Sequence, residues 1–131
     1  MFLVDNAQMR RSFAILGLIF TISVSGISGA YAHAQVEGMN PKKGAVLNSS
    51  PKTVWIEFGE KLLVLDKNHI NSLTVSDSSG KRIDKAPAVI NGTRATAKLK
   101  GVLSAGKYVV NYRVVSEDGH EVKGSYYFSV K

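Results

Sequence analysis

From residue 36 onward apolar and polar residues alternate over short stretches, and no long stretch carries the three-to-four residue recurrence of an amphipathic helix. A period of two predicts strands, because successive side chains of an extended chain point to opposite faces. Val54, Ile56 and Phe58 share one face of residues 53–58 while Trp55 and Glu57 take the other, which predicts a strand with one core-facing side. Leu73 and Val75 predict a shorter strand that turns at Asp77-Ser78-Ser79-Gly80. Ala95, Ala97 and Leu99 continue the alternation after a turn at Asn91-Gly92, and residues 101–106 form the next connection. Residues 108–115 carry apolar groups on both faces, the profile of a central strand covered on both sides. Asp118-Gly119 is a strong hairpin turn signal, after which residues 123–130 return with Tyr126, Phe128 and Val130 on one face. Residues 36–41 predict an edge strand ended by Pro41, and Pro51 opens the strand that holds Trp55. About seven short strands with a turn every ten residues or so predict an all-β fold, an immunoglobulin-like β-sandwich of Greek-key type, with barrel-like closure compatible with the same pattern.

The first 32 residues follow a different logic. Arg10 and Arg11 precede an uncharged, almost wholly apolar run over residues 12–25, and small residues stand at Ala30 and Ala32. Basic residues, apolar run and small residues in that order are what a signal peptidase recognises, so residues 1–32 are expected to be a signal peptide and residues 33–131 one exported domain. The apolar run is short of the ~20 residues a transmembrane anchor needs, so no membrane span is expected after processing. Arg10-Arg11 with Ser12 and Phe13 gives only part of a twin-arginine signal, and the general secretory route is expected. Cleavage after Ala34, which Ala32-His33-Ala34 also permits, would remove His33.

The formal charge of +7 becomes +6 once Asp5, Arg10 and Arg11 leave. The lysines are scattered along the sequence, with no aromatic residues interleaved as a nucleic-acid platform would require, so no nucleic-acid partner is expected. They read as a solvated surface with some attraction for anionic lipid. Cysteine is absent, so stability must come from packing and no thiolate is available to a soft metal ion. Met39 is the only methionine after residue 32.

Cleavage after Ala32 gives His33 two nitrogen donors, a free amine and an imidazole, which together chelate. Divalent copper suits such a pair, since it heads the first-row affinity order and favours tetragonal nitrogen and oxygen donors. The plain alternative is that His33 marks only where a leader ends. Ser116-Glu117-Asp118-Gly119-His120 sets a carboxylate and an imidazole two positions apart on a hairpin tip, and Glu60 follows the strand ending at Phe58. Taken singly, these are a good turn with a solvent-facing histidine and an unremarked glutamate. His69, in Asp66-Lys67-Asn68-His69, reads as a loop residue.

In combination the chain resembles the CopC-type periplasmic copper-binding proteins. The resemblance rests on the histidine after the leader, Asn40-Pro41 with Gly44-Ala45, Phe58-Gly59-Glu60, the run Tyr112-Arg113-Val114-Val115-Ser116-Glu117-Asp118-Gly119-His120, and the closing Lys123-Gly124-Ser125-Tyr126-Tyr127-Phe128-Ser129-Val130. It implies one Cu(II) per chain, held by the amine and imidazole of His33, the imidazole of His120, and oxygens of Asp118 and Glu60. It also implies a periplasmic carrier or buffer for copper homeostasis or resistance, with an inner-membrane copper transporter of the CopD kind as partner. Some members of that family bind Cu(I) through a methionine-rich loop, from which a chain with Met39 alone departs. A monomer is expected, and no enzyme. The other readings are a metal-independent interaction module, zinc in the same ligands, and a copper oxidase of the histidine-brace kind. The oxidase needs an open coordination position that Asp118 and Glu60 would fill.

Overall fold

The computed structural model describes residues 35–66 and 69–131; the expected leader, both cleavage points and His33 lie outside them. The described chain is all strand, turn and loop, with no helix among the described residues. Eight strands run in the order β1 (Val36–Asn40), β2 (Val46–Leu47), β3 (Thr53–Phe58), β4 (Ser72–Ser76), β5 (Asp84–Asn91), β6 (Arg94–Leu99), β7 (Gly106–Val115) and β8 (Glu121–Val130). They form two four-stranded sheets, one ordered β1-β3-β6-β5 and the other β2-β8-β7-β4. The two sheets are distinct, so the architecture is the expected sandwich and not a closed barrel. All pairings are antiparallel except β2 with β8, a two-residue parallel match of Val46 with Ser129 and Leu47 with Val130.

The alternation predicted from sequence sets the core. Val54, Ile56 and Phe58 of β3, Leu73 and Val75 of β4, and Ala95, Ala97 and Leu99 of β6 all face inward and are buried. Tyr108, Val110 and Val114 of β7 meet Tyr126, Phe128 and Val130 of β8 on the same inner layer. The stacked Tyr108 and Phe128 rings lie 5.5 Å apart. Burying this apolar surface is the main stabilising term in a chain without disulfides.

Two expectations change, the strand count and the covering of β7, and β5 is a strand that the alternation does not predict. The strand count rises from about seven to eight. β5 carries Pro87 between Lys85 and Val89, where its register against β6 shifts; on an edge strand a missing N–H removes no ladder bond. β7 is central, between β8 and β4, but only its inner face is covered: Asn111 and Arg113 are exposed, and Val109 and Val115 are half-buried. The outward valines reflect the preference of β-branched residues for a pleated surface, without a second packed layer.

Candidate metal centre

The β7–β8 ladder closes with Val115 opposite Glu121, and residues 116–120 make the tip. Ser116 N–H donates to His120 O at 3.0 Å and Gly119 N–H to Ser116 O at 2.9 Å. Gly119 has φ +88°, a conformation that glycine alone adopts without strain. Ser116 is fully buried, and its hydroxyl donates to Asp118 Oδ1 in a very short hydrogen bond. His120 N–H donates to the same oxygen at 3.1 Å, and His120 Nδ1 stands 2.7 Å from Asp118 Oδ2. The Ser116 hydroxyl first, then the ring and N–H of His120, hold the Asp118 carboxyl well below the usual carboxylate range. A carboxylate on Nδ1 of an imidazole fixes the ring's orientation and favours the proton on Nδ1, which makes Nε2 the donor atom toward a metal.

A second segment lies along this tip. Leu62 forms an isolated bridge with Ser116, Leu63 N–H donates to Val115 O at 2.8 Å, and Glu117 N–H donates to Lys61 O at 2.9 Å. Leu62 N–H also donates to Gly92 O at 2.9 Å, which ties the segment to the β5–β6 turn. The buried Asn71 clamps it from behind: its amide donates to Leu63 O at 2.7 Å and accepts from Val115 N–H at 2.9 Å. Glu60 begins this segment and is half-buried. The described chain enters at the same end, since Gln35 O accepts from Gly59 N–H at 2.8 Å.

The structure therefore brings Asp118 and His120 into direct contact and places Glu60 on the adjoining segment. Among the described residues no three His, Asp or Glu side chains gather into one group able to hold a metal, so Glu60 does not join the pair. His33 lies outside the described residues. Met39 is half-buried and packs against the hydrophobic core, and His69 is exposed in the connection between β3 and β4. Two contributors were not singled out from sequence. Ser116 carries a recognisable signal, a hydroxyl two positions before an aspartate in a turn. Asn71 carries none, because its partners are 8 and 44 residues away.

A family profile described as the CopC domain matches residues 36–131. The copper resistance protein C of Xanthomonas campestris pv. juglandis is 33% identical over 127 residues, covering 92% of this chain and 97% of that protein. The copper transport protein CutJ of Bacillus subtilis is 32% identical over 124 residues, covering 92% of this chain, which spans only 22% of CutJ's length. The crystal structure of CopC from Methylosinus trichosporium OB3b superposes with a TM-score of 0.62 at 31% identity, covering 76% of this chain and 94% of that one.

Proposed function

The chain belongs to the CopC domain family, and from that premise we propose that it is a periplasmic Cu(II) carrier or buffer that presents copper to a membrane transporter. Its relatives are named for copper resistance and copper transport, which supports a role in copper homeostasis. In this reading, processing after Ala32 exposes His33, and the ion is held by its amine and imidazole, by His120, and by oxygens of Asp118 and Glu60.

The observation that carries the proposal is the convergence of three sequence-distant segments at one end of the sandwich. Gln35 is bonded to Gly59, Lys61 to Glu117, and Asp118 to His120. His33 precedes Gln35 by two residues, a span of at most about 7 Å of extended chain. The proposal requires the amine to reach from there to Glu60 and the hairpin tip. Asp118 offers about four lone-pair sites; Ser116 Oγ, His120 N and His120 Nδ1 occupy three, and one remains for an ion. Nitrogen from imidazole and amine with negative oxygen is the donor set that divalent copper prefers. With Met39 committed to the core, Cu(II) and not Cu(I) is the cargo. Delivery requires no reaction, and the protein acts as a carrier and not a catalyst.

Cu(II) titration followed by electron paramagnetic resonance, on protein whose amino terminus is fixed by intact mass, tests this directly. One tight site with nitrogen and oxygen ligation is expected, lost when an additional residue precedes His33 and weakened at least tenfold by His120→Ala. Binding that is weak, multiple and indifferent to a blocked amine would refute the carrier and favour an interaction module.

A further inference from the structure

Lysines that are scattered along the sequence gather in the fold, at the end of the sandwich away from the Asp118–His120 tip. Lys98 on β6 is the register partner of Lys85 on β5 and of Thr53 on β3. Lys98 and Lys85 stand side by side on adjacent strands, about 4.8 Å apart, and Lys52, just before β3, is held beside them by Leu99 N–H, which donates to Lys52 O at 3.1 Å. All three are exposed, and with Val102 they line an open hollow of about 450 Å³. Lys100 adjoins them, its N–H bonded to Ile83 O at 2.8 Å. Among the described residues none of these four lysines forms an ion pair. The two aspartates at this end are already engaged: Asp84 is buried against Arg82, and Asp77 closes its own turn by accepting from Ser79 and Lys81 N–H. Val102 is 92% exposed, an apolar side chain left in water among the cations. Thr53 and Phe58 are the two ends of β3, which separates this cluster from the Glu60 end by about 17 Å.

We propose that this end of the sandwich is a docking surface for an anionic phospholipid bilayer. Three unpaired amines on flexible stems rim one hollow and a fourth borders the next, an arrangement that suits a plane of negative headgroups whose phosphates move past one another. The hollow has no buried polar side chain to fix a single small anion; its charge is all at the rim. An exposed valine inside the basic ring enters the headgroup region while the lysine stems lie along it with their amines in water. The surface shares no residue with the metal proposal and stands independently of it.

Co-sedimentation of the full chain with vesicles tests the surface. Binding is expected to vesicles of about one-third phosphatidylglycerol in phosphatidylcholine, absent from pure phosphatidylcholine, and suppressed by high salt. Lys85→Ala with Lys98→Ala is expected to weaken it about 25-fold, at about fivefold per lysine, and Val102→Ser to weaken it further. The apolar run at residues 12–25 is common to every variant, so it cannot produce differences between them. Thermal melts followed by circular dichroism verify that each variant is folded. Equal affinity for neutral and anionic vesicles, binding to neither, or full binding by the folded double-lysine variant overturns the proposal.

Discussion

At Asp118 three donors converge on one exposed carboxylate: the Ser116 hydroxyl, the His120 ring and the His120 N–H. Each favours the charged form, and together they keep Asp118 ionised at pH values where a free aspartate would be neutral. Ser116→Ala removes the largest of these effects. The Asp118 midpoint in the metal-free protein is then expected to rise toward the ordinary value of about 3.9, read from the side-chain carboxyl carbon by NMR. A midpoint that stays where it was would show that the hydroxyl is not the cause. Asp118 and His120 were legible in the sequence because turn chemistry is local: an Asp-Gly between two alternating strands fixes where both side chains stand. The Ser116 hydroxyl left a sequence signal, two positions before an aspartate in a turn, but which partner it takes is decided by its burial and rotamer. Glu60 was legible as the end of a strand, and the fold brings it no further than the adjoining segment.

Among the strands, six were legible and two were not, for separate physical reasons. β5 opens with the buried Asp84 and continues through Lys85, Ala86 and Pro87, so its inward and outward positions do not sort by polarity and its proline argues against a ladder. β2 has two residues, too few to show a period, and exists because Val46 and Leu47 meet the end of β8. The segment carrying Glu60 is likewise positioned from a distance, by the Asn71 amide that joins Leu63 to Val115. Asn71→Ala leaves that carbonyl and that N–H without their partner, which costs about 1–3 kcal/mol. Urea unfolding is expected to show the loss, and Cu(II) affinity is expected to fall with it although Asn71 is not among the proposed ligands. Unaltered affinity in the destabilised variant would separate the clamp from the metal centre.

At the scale of the whole molecule, the one deeply buried carboxylate among the described residues is Asp84, 2% exposed, at the end opposite the hairpin tip. Burial pushes its pKa up, but the Arg82 guanidinium at 2.6 Å and the Val75 N–H at 2.9 Å outweigh that and hold it below the usual aspartate range. A lowered folded pKa means that Asp84 contributes stability above the unfolded pKa and loses that contribution as pH falls through the folded value. The wild-type unfolding free energy is therefore expected to decline below about pH 4. Asp84→Asn, less stable at neutral pH, is expected to show a flatter profile in that acid range, measured by urea unfolding at successive pH values. An equally steep decline in the variant would assign the acid sensitivity to other groups.

β8 is the last strand in chain order, yet it lies inside its sheet, with β2 on one side and β7 on the other. β2 has no other strand to pair with, and β7 waits for its longest ladder, until residues 121–130 have left the ribosome. The second sheet is therefore completed last, because both ladders of β8 must wait for the final segment. The β1-β3-β6-β5 sheet needs no residue beyond 99, so one layer of the sandwich can pair before the other has its central strand. The hairpin tip joins β7 to β8, so the contact of Asp118 with His120 is among the last features of the fold to be fixed.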